Sequence, residues 1–111
     1  MSTTNIDLEI YRTKGSKVFT GRERGRKIRE NSKIDSLVES NDLVNINIPS
    51  DIMSVNPSFL EEFLFNTVTK LGKENFYKKV QFVTDSIRYD ITEDLEEAVD
   101  RILRSNTALS M

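Results

Sequence analysis

The stretch that most constrains this chain runs from Leu43 to Leu71 and reads LVNINIPSDIMSVNPSFLEEFLFNTVTKL. Val44, Ile46 and Ile48 alternate with Asn45 and Asn47, the period of a strand with one buried face. Pro49, Ser50 and Asp51 break that strand, since proline donates no backbone N–H and Ser and Asp favour turns. Leu60, Phe63, Leu64, Thr67, Val68 and Leu71 then recur at the i, i+3, i+4 spacing of an amphipathic helix, which Gly72 ends. Between them Ile52, Met53 and Val55 supply apolar anchors. A strand that leads through a polar turn to a helix start is a frame for presenting side chains at a surface.

The flanking sequence repeats the alternation of strand and helix. Ile6, Leu8 and Ile10 alternate with Asp7, Glu9 and Tyr11, which predicts a half-buried strand. Thr13-Lys14-Gly15-Ser16 then turns into Val18-Phe19, a second strand or hairpin partner. Thr20-Gly21-Arg22-Glu23 has the form of a capping box, with Thr20 as the cap of a helix running from Gly21 to the Asn31 region. Gly25 costs about 1 kcal/mol against alanine inside such a helix, which points to close packing on a sheet or room for a ligand. Ile34, Leu37 and Val38 make a further short helical segment. After Gly72, a helical turn bearing Phe76 and Tyr77 leads into Val80–Val83, expected as a central strand. Thr84–Tyr89 reads as a loop. Asp90 and Glu93 form a second capping box, and Leu95, Ala98, Val99, Ile102 and Leu103 stripe the last helix. From Ser105 a loose polar tail is expected. The order β, β, α, β, α, β, α predicts one small α/β domain, its parallel or mixed sheet of about four strands packed by about three main helices.

Composition narrows the chemistry. With 111 residues the chain suits a single core, the domain spanning 1–111. Neither cysteine nor histidine occurs, so disulfides, ordinary zinc sites and Ser–His or Cys–His nucleophile pairs are excluded. Acid–base work near neutral pH would need a strongly retuned carboxylate or lysine. A non-catalytic role without metal or cofactor is therefore expected, with a hydrolase or transferase ranked last. No apolar run approaches membrane-spanning length and no signal-peptide pattern opens the chain. A cytoplasmic protein away from membranes is expected. Residues 1–40 hold nine Lys/Arg against six Asp/Glu, a balance of +3; residues 41–111 hold seven against twelve, or −5, together the net −2. That asymmetry allows a basic patch, but not the strongly basic balance of a dedicated nucleic-acid binder.

The segment Val44–Leu64 resembles STAS domains, the fold of bacterial anti-sigma factor antagonists, and in particular a STAS-like bacterial family of unassigned function. The likeness lies in the alternating strand VNINI, the turn DIMSV, and Asn-Pro-Ser-Phe-Leu opening the helix. Gly21-Arg22-Glu23-Arg24-Gly25-Arg26 followed by Ile28 looks like the first helix of that STAS-like family. In order and length the resemblance covers residues 5–104. In antagonist STAS domains the matching turn reads Asp-Ser-Ser-Gly-Leu, and a GHKL-type ATP-binding kinase binds it and phosphorylates the second serine. Aligned on Leu60, that serine falls on Ser58, while Asn56, Pro57 and Phe59 replace Asp, Ser and Gly. The resemblance implies a regulatory protein-interaction module, with Ser54, Asn56, Pro57, Ser58 and Phe59 as the partner face and Ser58 as the phosphoacceptor.

Two readings of Ser58 remain open from the residues alone. Ser58-Phe59-Leu60-Glu61 is itself a capping box, which makes the hydroxyl structural. Alternatively Asn56 caps the helix with Pro57 at its first position, which leaves the hydroxyl free. A rival site is the basic cluster in Arg22–Arg29, where Arg22, Arg26 and Arg29 share a helix face and suit a phosphate of a nucleotide or nucleic acid. The acidic residues Glu93, Asp94, Glu96, Glu97 and Asp100 read as the solvated face of the last helix.

Overall fold

A strand over Leu43–Asn47 lies at the centre of a three-stranded sheet, in the computed structural model that describes residues 2–85 and 88–110. In chain order the strands are β1 (Thr3–Asp7), β2 (Val18–Phe19), β3 (Leu43–Asn47), β4 (Ser54–Val55) and β5 (Val80–Val83). The helices are α1 (Arg22–Ser32), α2 (Ile34–Ser40), α3 (Pro57–Lys79) and α4 (Thr92–Ser110), with a 3-10 turn over Leu8–Tyr11. β1 and β5 both pair with β3 in parallel, so Ile6, Ile46 and Phe82 lie side by side. β2 and β4 form a separate two-residue parallel ribbon, Val18 opposite Ser54 and Phe19 opposite Val55. The α/β class and parallel pairing match expectation. The four-stranded sheet does not: among the described residues there are three strands plus a ribbon of two.

The reason lies in the connections. Val18-Phe19 is no hairpin partner of β1, because the chain leaves β1 through the 3-10 turn and meets the Ser54 segment instead. Val80–Val83 is an edge strand rather than the central one, since β1 and β5 occupy opposite sides of β3. Strands that add in sequence order on one side carry right-handed crossovers to a single face. The burial alternation of β3 follows from this: Val44, Ile46 and Ile48 are buried, whereas Asn45 and Asn47 remain half-exposed. Asn45 stands in register with Asn5 and Gln81, so the asparagines belong to an uncovered polar face.

The buried face of the sheet joins one apolar cluster that includes Phe59, Phe63, Leu64 and Val68 of α3, Ile28 of α1 and Leu95, Ala98, Val99 and Ile102 of α4. Helix α1 starts after Gly21 (φ 93°), with no side-chain cap from Thr20. Its Gly25 packs on α3 rather than on a sheet: a Cβ there would lie 2.4 Å from the carbonyl oxygen of Phe59. Lys33, at φ 57°, separates α1 from α2. Gly72 (φ 80°, ψ 167°) breaks the helical geometry of α3, leaving Lys73–Lys79 as a second segment. The last helix passes Ser105 and continues to Ser110, so the expected loose tail is helical there, and Met111 lies outside the described residues. No Pro or Gly occurs between Ser105 and Ser110 to stop it. Among the described residues, no helix is long and apolar enough to cross a membrane.

Candidate functional site

The turn between β3 and α3 is built by three fastenings. Ile52 is buried, and its N–H donates to the carbonyl of Pro49 at 3.1 Å. The Arg12 guanidinium grips both oxygens of Asp51, at 2.8 and 2.5 Å, and reaches Glu9 at 2.9 Å. This two-pronged geometry suits a planar guanidinium, and it holds the Asp51 carboxyl below its ordinary range while raising Arg12. The Met53 N–H then donates to the Lys17 carbonyl at 2.7 Å and the Asn56 N–H to the Phe19 carbonyl at 2.8 Å. Ser54 and Val55 are thus held against β2 from both ends.

At the helix start, Asn56 is the cap and Pro57 the first helical residue. Asn56 Oδ1 accepts the Ser58 N–H at 2.9 Å and the Ser58 Oγ–H at 2.7 Å. Ser58 is therefore neither the cap nor free: it is half-buried and its hydroxyl proton is given to the cap. The same arrangement recurs at α4, where Asp90 Oδ1 accepts the Thr92 N–H at 2.9 Å and the Thr92 hydroxyl at 2.6 Å. Phe59 is a correction to the expected surface. It is fully buried, with its ring 5.4 Å from Phe19 and 5.8 Å from Phe63, because its position on α3 faces β2 and the core. Ser54, Asn56, Pro57 and Ser58 keep some solvent exposure.

Three exposed apolar side chains lie on the segments fastened together here: Ile10 (71% exposed), Val18 (44%) and Met53 (57%). Val18 stands opposite Ser54, and Met53 is bonded to its neighbour Lys17. Tyr89 backs the turn from the other side. Its hydroxyl is 2.6 Å from Asp94 Oδ2 and 3.1 Å from the Val55 carbonyl, within reach of both with one proton to give. Burial first, then the bond to Asp94, pushes that hydroxyl well above its ordinary pKa. Neither Arg12 nor Tyr89 carried a sequence signal, since their partners Asp51 and Val55 lie 39 and 34 positions away.

The basic helix face turns toward α3. Arg29 is nearly buried and donates to the Glu62 carbonyl at 2.6 Å, its guanidinium 3.6 Å from the Glu62 carboxylate. Arg22 pairs with Glu61 at 3.3 Å, and Glu61 is also met by Arg101 at 3.2 Å. These arginines flank Gly25, where the two helices touch. Of the three arginines of this face, Arg26 alone is exposed with no ion pair among the described residues, in a surface cleft of about 210 Å³ that it shares with Arg22, Glu23 and Glu62. Two carboxylates thus face two guanidiniums in that cleft, a poor setting for a phosphate.

The first turn of α3 contains no acidic residue. Glu61 and Glu62, the nearest carboxylates along the helix, are both engaged by arginine. The turn thus joins a helix N-terminus capped by a neutral side chain, with no carboxylate in its first turn, to a hydroxyl and an apolar rim. Among known proteins, no family model, curated protein or solved structure matches the chain.

Proposed function

We propose that this chain is a STAS-like, non-catalytic regulatory module that binds a protein partner through Ser54, Asn56, Pro57 and Ser58. Ser58 is the phosphoacceptor, and the partner is a GHKL-type ATP-binding protein. The observation that carries the reading is the exposure of Val18 and Met53 beside a rigidly fastened helix start. Apolar side chains left exposed around a fixed polar centre suit an interface, in which burial drives association and the polar group selects the partner.

Phosphorylation acts directly on this geometry. It removes the proton that Ser58 gives to Asn56 and adds about −1.5 to −2 charge at pH 7. The helix dipole favours that charge by about 0.3–1 kcal/mol at an exposed terminus, and the arginines on Glu61 and Glu62 mute the opposing carboxylates. The cap opposes it, because Asn56 Oδ1 would then face an anion. The turn must rearrange, and a partner seated on it would register the change.

To test this, the purified protein is incubated with ATP and the GHKL-type ATP-binding proteins of its host, and phosphate is located by mass spectrometry. Label on Ser58, lost in Ser58→Ala, together with partner capture abolished by Met53→Ser and Val18→Ser, is expected. Label on another residue, or capture indifferent to these changes, overturns the reading.

A further inference from the structure

Strand β5 and helix α4 border a groove of about 380 Å³ that shares no residue with the turn described above. Its apolar lining comes from Val80 and Phe82 on the strand and Ile91 and Leu95 on the helix side. Two further features point to an occupant. Tyr77 also lines the groove, and its hydroxyl is buried with no hydrogen-bond partner among the described residues. A buried polar atom left in that state is costly unless something completes it. Glu96 stands at the margin, exposed and in no ion pair among the described residues, whereas Glu97 and Asp100 are paired with Arg101 and Lys73.

The strand itself is unfinished. Val83 turns its carbonyl toward β3, where it accepts the Ile48 N–H at 2.8 Å. Backbone groups of successive strand residues point to opposite edges, so the N–H and C=O of Phe82 face away from β3. Among the described residues no strand pairs with that edge, and an uncovered edge is a template for another extended segment.

We propose that this groove binds an extended peptide of a partner protein, which adds as a strand to β5. It seats one apolar side chain between Phe82 and Leu95 and places a lysine or arginine beside Glu96. The peptide exchanges backbone hydrogen bonds with Phe82, and one of its carbonyls accepts the Tyr77 hydroxyl. Backbone pairing supplies affinity in this mode, and the side-chain pocket with its single carboxylate supplies selection. Bare apolar burial would leave Tyr77 and Glu96 unused, and the carboxylate disfavours an acidic peptide.

The test uses the whole chain, isotope-labelled, titrated with a degenerate pool of short synthetic peptides that carry an apolar residue and, two positions on and so on the same strand face, a lysine. A second pool is N-methylated on alternate backbone nitrogens, which removes strand pairing without altering the protein. Shifts of backbone amides are expected at Val80–Val83 and in the first turns of α4, absent with the methylated pool. Glu96→Lys and Tyr77→Phe are each expected to weaken binding by about tenfold, the scale of one lost polar contact; Tyr77→Phe keeps the fold because that hydroxyl has no hydrogen-bond partner among the described residues. Shifts that survive methylation, no shifts at millimolar peptide, or shifts at these residues on concentrating the protein alone overturn the proposal. The last result would assign the edge to a second copy of the chain.

Discussion

Gly25 shows how much one absent atom decides. Inside a helix glycine is unfavourable by about 0.5–1 kcal/mol relative to alanine, so a change to alanine would stabilise an isolated α1. In the folded protein the added Cβ would lie 2.4 Å from the Phe59 carbonyl oxygen and 3.1 Å from the Phe63 nitrogen. Both are backbone atoms of α3, which no rotamer change moves aside. Gly25→Ala is therefore expected to lower stability by about 1–3 kcal/mol, the scale of overpacking a close contact, as read from the urea midpoint. An unchanged or raised midpoint would show that α1 and α3 lie farther apart. The glycine was conspicuous in the sequence, but its neighbour was not: nothing local distinguishes a helix touching a helix from a helix touching a sheet. At Ser58 the residues allowed two capping patterns, and the hydrogen bonds to Asn56 select the one with Pro57 at the first helical position.

Among elements, α3 is the one whose internal break matters. Its two segments meet at Gly72, with φ 80° and ψ 167°. That region of backbone space is open essentially to glycine alone, at a cost of about 1–3 kcal/mol for other residues. Space is not the obstacle, since a Cβ there meets nothing within 4 Å. Gly72→Ala is thus expected to destabilise the fold by about that amount through strain, without a packing defect. Amide exchange should quicken first in Lys73–Lys79 and β5, which the break positions; uniform change across the chain would contradict this. The stop at Gly72 was readable because the apolar stripe ends there. The two-residue strand β4 was not, because Ser54-Val55 has no period of its own and becomes a strand only by meeting β2.

For the molecule as a whole, charge sets the limits of stability. With no histidine, no side chain has an ordinary pKa in the neutral range. At the acid end, the Arg12 clamp lowers Asp51 and the Thr92 hydroxyl and N–H lower Asp90, both below the ordinary 3.8. Carboxyls depressed in the folded state bind fewer protons there than in the unfolded chain. Their contribution is complete above the unfolded value and is lost as pH falls through the folded one. Tyr89 acts at the other end: raised above its ordinary 10.0, it keeps its proton after the unfolded chain has lost its own, so stability falls as pH rises beyond that value. A stability plateau across the neutral range is expected, with an acid limb flattened by Asp51→Asn and an alkaline limb flattened by Tyr89→Phe. Thermal midpoints followed against pH decide it, and limbs indifferent to these substitutions would refute the assignment. By itself the sequence determined the α/β class, the buried face of β3 and the stripes of α3 and α4, because those are periodic and each period reports a local geometry. Which strand lies at the centre, where Val18-Phe19 pairs, that Arg22 and Arg29 brace α3, and that β5 leaves an open edge beside α4 were decided only in tertiary structure. Each joins residues far apart in the chain, and the energy that selects them comes from contacts no local pattern encodes.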